Sequence, residues 1–307
     1  MTASDIRIDA RDWALLAVLS VLWGGSFFFN GVVLRELPPL TLVLLRVALA
    51  SIILLPVLWA YRIRFPKGIS GWTPFIAIGL FNNVLPFSLI VAGQTYIPSG
   101  LASILNATTP LFTVVVMASA GEEKLYARRI AGVIAGLIGV VILHGGGFGG
   151  FGSGQGIGIL LCLAGAFSYG LSALVARRLL SNSPPLGTAT FQLLASTAMM
   201  VVVASFVERP WQLPMPGAAT WFAVIGLAAL STALAYIVFF QILRRSGATN
   251  VMLVTLLIPV TAILLGYLVL GEQISSREIF GALVIGSALL LIDGRVLELF
   301  RRLRMAR

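Results

Sequence analysis

Cysteine and histidine are almost missing: the 307 residues contain one of each, Cys162 and His144. That leaves no disulfide framework and no zinc site of clustered Cys and His, so no resident metal or other cofactor is expected. Charge is scarce too. Asp, Glu, Lys and Arg make up 10% of the chain, against about 25% in a soluble domain whose surface must be wetted. What fills the sequence is apolar, 59% of it. Such a surplus in water would lie exposed in large patches and aggregate, which excludes an ordinary cytosolic enzyme. The composition is that of an integral membrane protein.

Apolar runs near 20 residues, the length that crosses a hydrocarbon core of about 30 Å as a helix, occur ten times. They span about 12–33, 40–60, 72–92, 95–118, 126–144, 156–177, 186–206, 217–243, 248–270 and 276–294. The first follows Asp5, Asp9 and Asp12 as well as Arg7 and Arg11, with no small-residue cleavage site after it, so it reads as a helix and not a signal. With the N-terminus inside, seventeen Lys and Arg fall in inner segments and three, Arg35, Arg209 and Arg277, in outer loops. This bias places both termini of a multi-pass membrane protein in the cytoplasm. It also explains the net charge of +10 without nucleic acid, although the basic tail Arg295 to Arg307 has the composition to touch anionic lipid.

A Gly-rich stretch, Gly145 to Gly158, divides the ten runs into five and five. The two sides match in order. Pro38-Pro39-Leu40 recurs as Pro184-Pro185-Leu186, and the same shift sets Trp23 on Tyr169, Ser26 on Ser172 and Arg46 on Gln192. Further on, Trp72 matches Trp221, Asn82-Asn83 match Ser231-Thr232, Pro110 matches Pro259 and Glu123 matches Glu272. An odd number of spans per copy inverts the second copy. The expectation is an all-α protein of two five-helix inverted repeats, 1–150 and 151–307, an architecture that binds substrate at the repeat interface.

The acids lie in termini, loops or span ends, and none at mid-membrane. Proton-coupled pumps and cation exporters keep such a carboxylate despite its cost, so the expected cargo lacks net positive charge. Ser99, Ser103, Asn106, Pro110 and Thr113 repeat at helical spacing and form one polar stripe. Pro110, Pro86 and Pro259 each free a carbonyl four residues back and kink their helix, giving candidate hinges. Trp23, Phe27, Phe87, Tyr169 and Tyr236 sit well inside their spans. With Ser26, Asn82, Asn83, Ser99, Ser103 and Asn106 they have the make-up of a small-molecule pocket, though each aromatic equally suits core packing or lipid contact. Arg46, two turns in from the outer end, either snorkels to headgroups or meets a substrate carboxylate. His144 ends the fifth span, a solvated terminus in its simplest reading. Gly132, Gly136 and Gly139, with Ala282 and Gly286, let the fifth and tenth helices pack on each other or on a second subunit as a homodimer.

Trp23-Gly24-Gly25-Ser26-Phe27, Arg46 with Ala50, Gln94 to Gly100, Pro110, Glu122-Glu123 and the spaced glycines, with Pro259, Gly271-Glu272 and Gly281 in the second copy, resemble the EamA domain of the drug/metabolite transporter superfamily. Within it the chain looks most like the YddG-type exporters. That resemblance implies export of aromatic and other neutral amino acids, or similar small metabolites, by alternating access. Gln192 in place of a second Arg departs from symmetry, so the halves cannot make equivalent charged contacts. Another neutral metabolite or drug as cargo, or an uncoupled channel-like facilitator, is the alternative. An enzyme built on Ser26 and His144 is disfavoured, because the two stand in different spans at different depths.

Overall fold

The computed structural model describes residues 9–124, 126–144, 154–251 and 253–293; the side chains of 144, 247–250 and 293 lie outside that set. The expectations for His144, the Gly-rich linker centre and the basic tail therefore fall outside the described residues. All regular structure among the described residues is helical, as a bilayer demands, because a helix satisfies its own backbone where no water can.

The helices are α1 (Ala10–Val33), α2 (Pro39–Ala60), α3 (Gly68–Gly93), α4 (Ser99–Ser119), α5 (Ala127–His144), α6 (Gly154–Leu179), α7 (Pro185–Val207), α8 (Ala218–Ser246), α9 (Val254–Leu270) and α10 (Ser276–Asp293). Seven of them, α1–α4 and α6–α8, are long and apolar enough to cross a membrane, and α9 is a shorter apolar helix. Prolines start several: Pro39 and Pro185 are the first residues of α2 and α7, where a missing N–H costs nothing.

Three helices change winding inside their length. Leu80–Val84 of α3, Ala229–Leu234 of α8 and Gly266–Leu270 of α9 are π-helical. The looser winding leaves backbone carbonyls for side chains. Ser168 Oγ donates to Phe81 O at 2.8 Å, Ser196 Oγ to Gly79 O at 3.2 Å and Thr232 Oγ1 to Leu227 O at 2.9 Å. The first two wide segments contain Asn82-Asn83 and Ser231-Thr232, the pairs that the sequence sets in register.

The proline expectations need correction. Pro110 does not kink a continuous helix: α4 breaks at Ala107-Thr108 and restarts with Pro110 in its first turn. The freed Asn106 carbonyl accepts from Thr109 Oγ1 at 2.7 Å, so no wet cavity is required to satisfy it. The polar stripe is consequently split between two helical pieces. Pro86 sits in the first turn after the π segment of α3, and Pro259 lies inside α9 without interrupting it.

The closest packing joins helices from opposite sides of the linker: α1 on α9 and α8, α6 on α4 and α3, α2 on α7, and α5 on α10. Tails in a bilayer are as apolar as leucine, so such pairs depend on close backbone approach. Glycine provides it. A Cβ at Gly24 would stand 2.6 Å from Thr261 and 2.9 Å from the Ile258 carbonyl. One at Gly139 would stand 2.7 Å from Ile285 and 3.1 Å from the Gly281 carbonyl. The α5 glycines are thus used within the chain. Gly139→Val, which must push α10 away, is expected to destabilise the protein by about 1–3 kcal/mol, read as a lowered melting temperature in detergent. An unchanged melting temperature would show that this contact is dispensable.

Two large buried clusters fill the interior, one around Leu101, Leu105, Ile159 and Ile258, the other around Leu42, Val47, Leu193 and Leu227, and a smaller third lies around Leu58, Phe75 and Phe191. Tyr169 packs against both.

Candidate functional site

A polar group gathers around the π segments of α3 and α8, whose neighbourhoods are joined by bonds between Tyr236 and Asn82 and Asn83. Arg46, 6% exposed on α2, does not reach an interface, so the snorkelling expectation is wrong for this residue. The widened α8 winding brings Thr232 to it instead. Arg46 Nε donates to Thr232 Oγ1 at 3.0 Å, and the guanidinium carbon lies 3.8 Å above the centroid of Phe87, a cation–π arrangement. Tyr169 and Tyr236 are within electrostatic reach. Among the described residues no carboxylate pairs with this cation.

Around it runs a network from four helices. Asn82 Nδ2 donates to Gln192 Oε1 and to Tyr236 Oη, both at 3.3 Å. Ser172 Oγ donates to Asn82 Oδ1 at 3.1 Å, and Tyr236 Oη donates to Asn83 Oδ1 at 3.4 Å. Asn83 Nδ2 and Ser231 Oγ are buried and have no hydrogen-bond partner in this set. Buried polar groups are nearly always paired, so these two are open valences for a ligand or water. The arrangement offers a fixed cation, aromatic walls and neutral dipoles, which suits a small carboxylate with an apolar body.

Of the residues singled out in the sequence, Arg46, Asn82, Asn83, Phe87, Tyr169 and Tyr236 come together here. The rest do not. Ser26 Oγ donates to Trp23 O at 2.6 Å and Ser103 Oγ to Gly100 O at 2.6 Å, both local backbone bonds. Trp23 packs on Phe239 with ring centroids 5.5 Å apart, three residues along α8 from Tyr236. Asn106 keeps a buried Oδ1 without a hydrogen-bond partner among the described residues and makes no bond to this network. Ser172, Gln192, Ser231 and Thr232 are the members that no motif marked; the repeat register, which sets them on Ser26, Arg46, Asn82 and Asn83, was the signal for them.

Phe27 and Ser99 belong to a different cluster, at the end that the charge bias assigns to the outside. Gln94 Nε2 donates to Phe27 O at 3.0 Å, Asn30 Nδ2 donates to Gln94 Oε1 at 2.8 Å, and Ser99 Oγ donates to Phe27 O at 3.1 Å. Gly271, with φ 72°, turns the chain after α9 so that Glu272 reaches the start of α4. Its carboxylate accepts from Ser99 N at 2.9 Å and Gly100 N at 3.3 Å. This end holds a cavity of about 310 Å³ lined by Gly31, Leu34, Arg35, Gln94 and Glu272.

The described acids stand in turns and at helix ends, and they are engaged. Glu208 caps α2 through Leu40 N and Thr41 N, and Glu36 accepts from Gly217 N at 2.7 Å. At the other end Arg245 pairs with Asp9 and Asp12, and Arg177 and Arg178 pair with Glu122. The Arg178 guanidinium holds the Glu122 carboxyl below the usual carboxylate range. Each of these contacts ties a residue before the linker to one after it. Glu278 differs, accepting from Ser275 N, the residue just before its own helix.

Comparison with known proteins identifies the family. A protein of Bacillus subtilis (strain 168) named as uncharacterized transporter YoaV is 24% identical over 273 residues, covering 88% of this chain and 93% of that one. A probable amino-acid metabolite efflux pump of Escherichia coli (strain K12) is 24% identical over 295 residues, covering 92% and 94%. A crystal structure superposes with a TM-score of 0.64 at 20% identity, covering 92% of this chain and 97% of the other, a likeness of fold. The model of the EamA-like transporter family matches residues 12–144 and again residues 156–293. The chain belongs to the EamA-like transporter family, and is a membrane transporter and not an enzyme.

Proposed function

We propose that this transporter exports neutral and aromatic amino acids, or similar small carboxylates, across the cell inner membrane by alternating access, with the substrate carboxylate on Arg46. The observation that carries the reading is a buried guanidinium, stacked on Phe87 and bonded to Thr232, with no acid opposite it among the described residues. A buried cation is expensive to leave unpaired, and a substrate carboxylate pairs it. Asn83 Nδ2 and Ser231 Oγ stand ready as further donors, while Tyr169, Tyr236 and Phe87 supply an apolar surround. The name of the Escherichia coli relative supports an amino-acid-like cargo.

The architecture we propose is ten spans in two antiparallel halves, 1–150 and 151–307, with both termini cytoplasmic. Its support is the mirrored packing, in which α1 lies on α8 and α9 as α6 lies on α3 and α4, together with the loop charges. A second copy, if the protein dimerises through α5, would use the lipid-facing Ile134, Leu137 and Ile138, because Gly132 and Gly139 are taken by α10 and Gly136 by Leu111 of α4.

A second reading, facilitation without coupling, is favoured by the absence of an acid at mid-span among the described residues. Uptake of labelled phenylalanine into liposomes holding purified protein, with and without imposed pH and voltage gradients, separates the two. Saturable uptake indifferent to both gradients supports facilitation. Uptake driven by a pH gradient would contradict the argument from missing carboxylates, and no saturable uptake of any amino acid would sink the substrate assignment.

A further inference from the structure

We infer that the turn between α2 and α3 forms, with the start of α7, a binding site for an anionic phospholipid of the cytoplasmic leaflet. An open cavity of about 550 Å³ lies there, lined by Arg62, Arg64, Ile63, Phe75, Pro184 and Phe191. Its walls are an aromatic cluster: Phe191 packs edge-on against Trp72 at 5.7 Å and Phe75 at 5.1 Å, and Phe65 lies 5.3 Å from Phe191. Its rim is cationic. Arg62 and Arg64 have no ion pair among the described residues, in contrast to Arg129, Arg177, Arg178 and Arg245 at the same end. No Asp or Glu occurs between Tyr61 and Gly71 or between Arg178 and Gly187.

A cavity with an apolar floor and unpaired guanidinium groups at its mouth matches the two parts of a phospholipid, acyl chain and phosphate. Trp59, Tyr61 and Ile69, each more than half exposed, set this rim at headgroup depth, where aromatic residues settle. The opposite end of the molecule shows the contrast. Arg209, with φ 50°, follows α7 as Arg62, with φ 52°, follows α2. There the preceding residue is Glu208, whose carboxylate accepts from Leu40 N, Thr41 N and Thr41 Oγ1 at 2.9, 2.6 and 2.8 Å and closes the cleft from within. Here the preceding residue is the exposed Tyr61, so the negative group must come from outside the chain. The leaflet rests on the orientation proposed above; the site itself does not.

Native mass spectrometry of the detergent-purified chain with phosphatidylglycerol and phosphatidylethanolamine tests this. The wild type is expected to retain phosphatidylglycerol at least tenfold better than phosphatidylethanolamine, and R62Q/R64Q to lose that preference. R62K/R64K, which keeps the charge, is expected to retain most of it. Circular dichroism and gel filtration check that the variants fold. Equal retention of both lipids by the wild type, or an unchanged preference in R62Q/R64Q, would overturn the site. Competition by glycerophosphoglycerol as strong as by the intact lipid would also overturn it, since the cavity floor would then hold no acyl chain. The measurement needs no transport, so R46Q is expected to keep the lipid while losing uptake, and the two readings fail separately.

Discussion

Replacing Arg46 by Gln is expected to lower kcat/KM for phenylalanine uptake about 100-fold. The estimate follows from the cost of removing one partner of a buried, hydrogen-bonded charge pair, about 2–5 kcal/mol, where every 1.4 kcal/mol is about tenfold. The rest of the neighbourhood survives the change. Thr232 Oγ1 keeps its bond to Leu227 O, and loss of a desolvated charge without a protein counter-ion leaves stability level or raised. Arg46→Lys keeps the charge but not the flat guanidinium over Phe87 or its fork toward a carboxylate, so an intermediate loss, about tenfold, is expected. Uptake of phenylalaninamide, which has no carboxylate, should be insensitive to either substitution. Wild-type uptake in R46Q with normal folding would remove Arg46 from the binding site.

The second large effect is expected at Glu272. Its carboxylate holds the first N–H groups of α4 from the turn after α9, so it joins the two halves at the end that is outer in the proposed orientation. Hydrogen bonds to a charged group contribute about 1.5–3 kcal/mol, which is about tenfold or more in a two-state equilibrium. Glu272→Ala should therefore raise the outward-open population by about that factor. The readout is labelling of Leu34→Cys, which lines the outer cavity, in a Cys162→Ala background that has no other thiol. Glu272→Gln, which keeps an oxygen acceptor, should sit between. Unchanged labelling in Glu272→Ala would mean that this contact does not seal the outer end.

Much of this molecule was legible in its residues. The limits of the helices fall within a few residues of the apolar runs, because span length is set by bilayer thickness and not by subtle packing. The pairing of Asn82-Asn83 with Ser231-Thr232 located both π segments without revealing their winding. No sequence period reports that a turn has gained a residue, and the register alone does not show that Thr232 will meet Arg46. For Arg46 the sequence left snorkelling and a carboxylate contact both open, because its depth along α2 was visible but its direction was not: rotation toward α8 is decided by the approach of α2 to α7 and α8. Pro110 misled for a related reason. A proline is compatible with a kink or a break, and Thr109, whose hydroxyl takes the freed carbonyl, tips the choice locally. The position of the acids at helix ends and in turns could be read from the sequence, yet their partners across the linker are tertiary facts that spacing does not carry.

The most direct test of a passage that opens alternately around Arg46 is paired thiol labelling in the Cys162→Ala background. One variant carries Leu34→Cys beside the Glu272 contact. The other carries Leu243→Cys, partly buried near the Arg245 pair with Asp9 and Asp12. Glu272→Ala and Arg245→Gln, which loosen opposite ends, are expected to move the two labelling rates in opposite directions, and phenylalanine to shift both rates reciprocally only while Arg46 is present. Simultaneous rises at both positions would describe a continuous pore and would contradict alternating access.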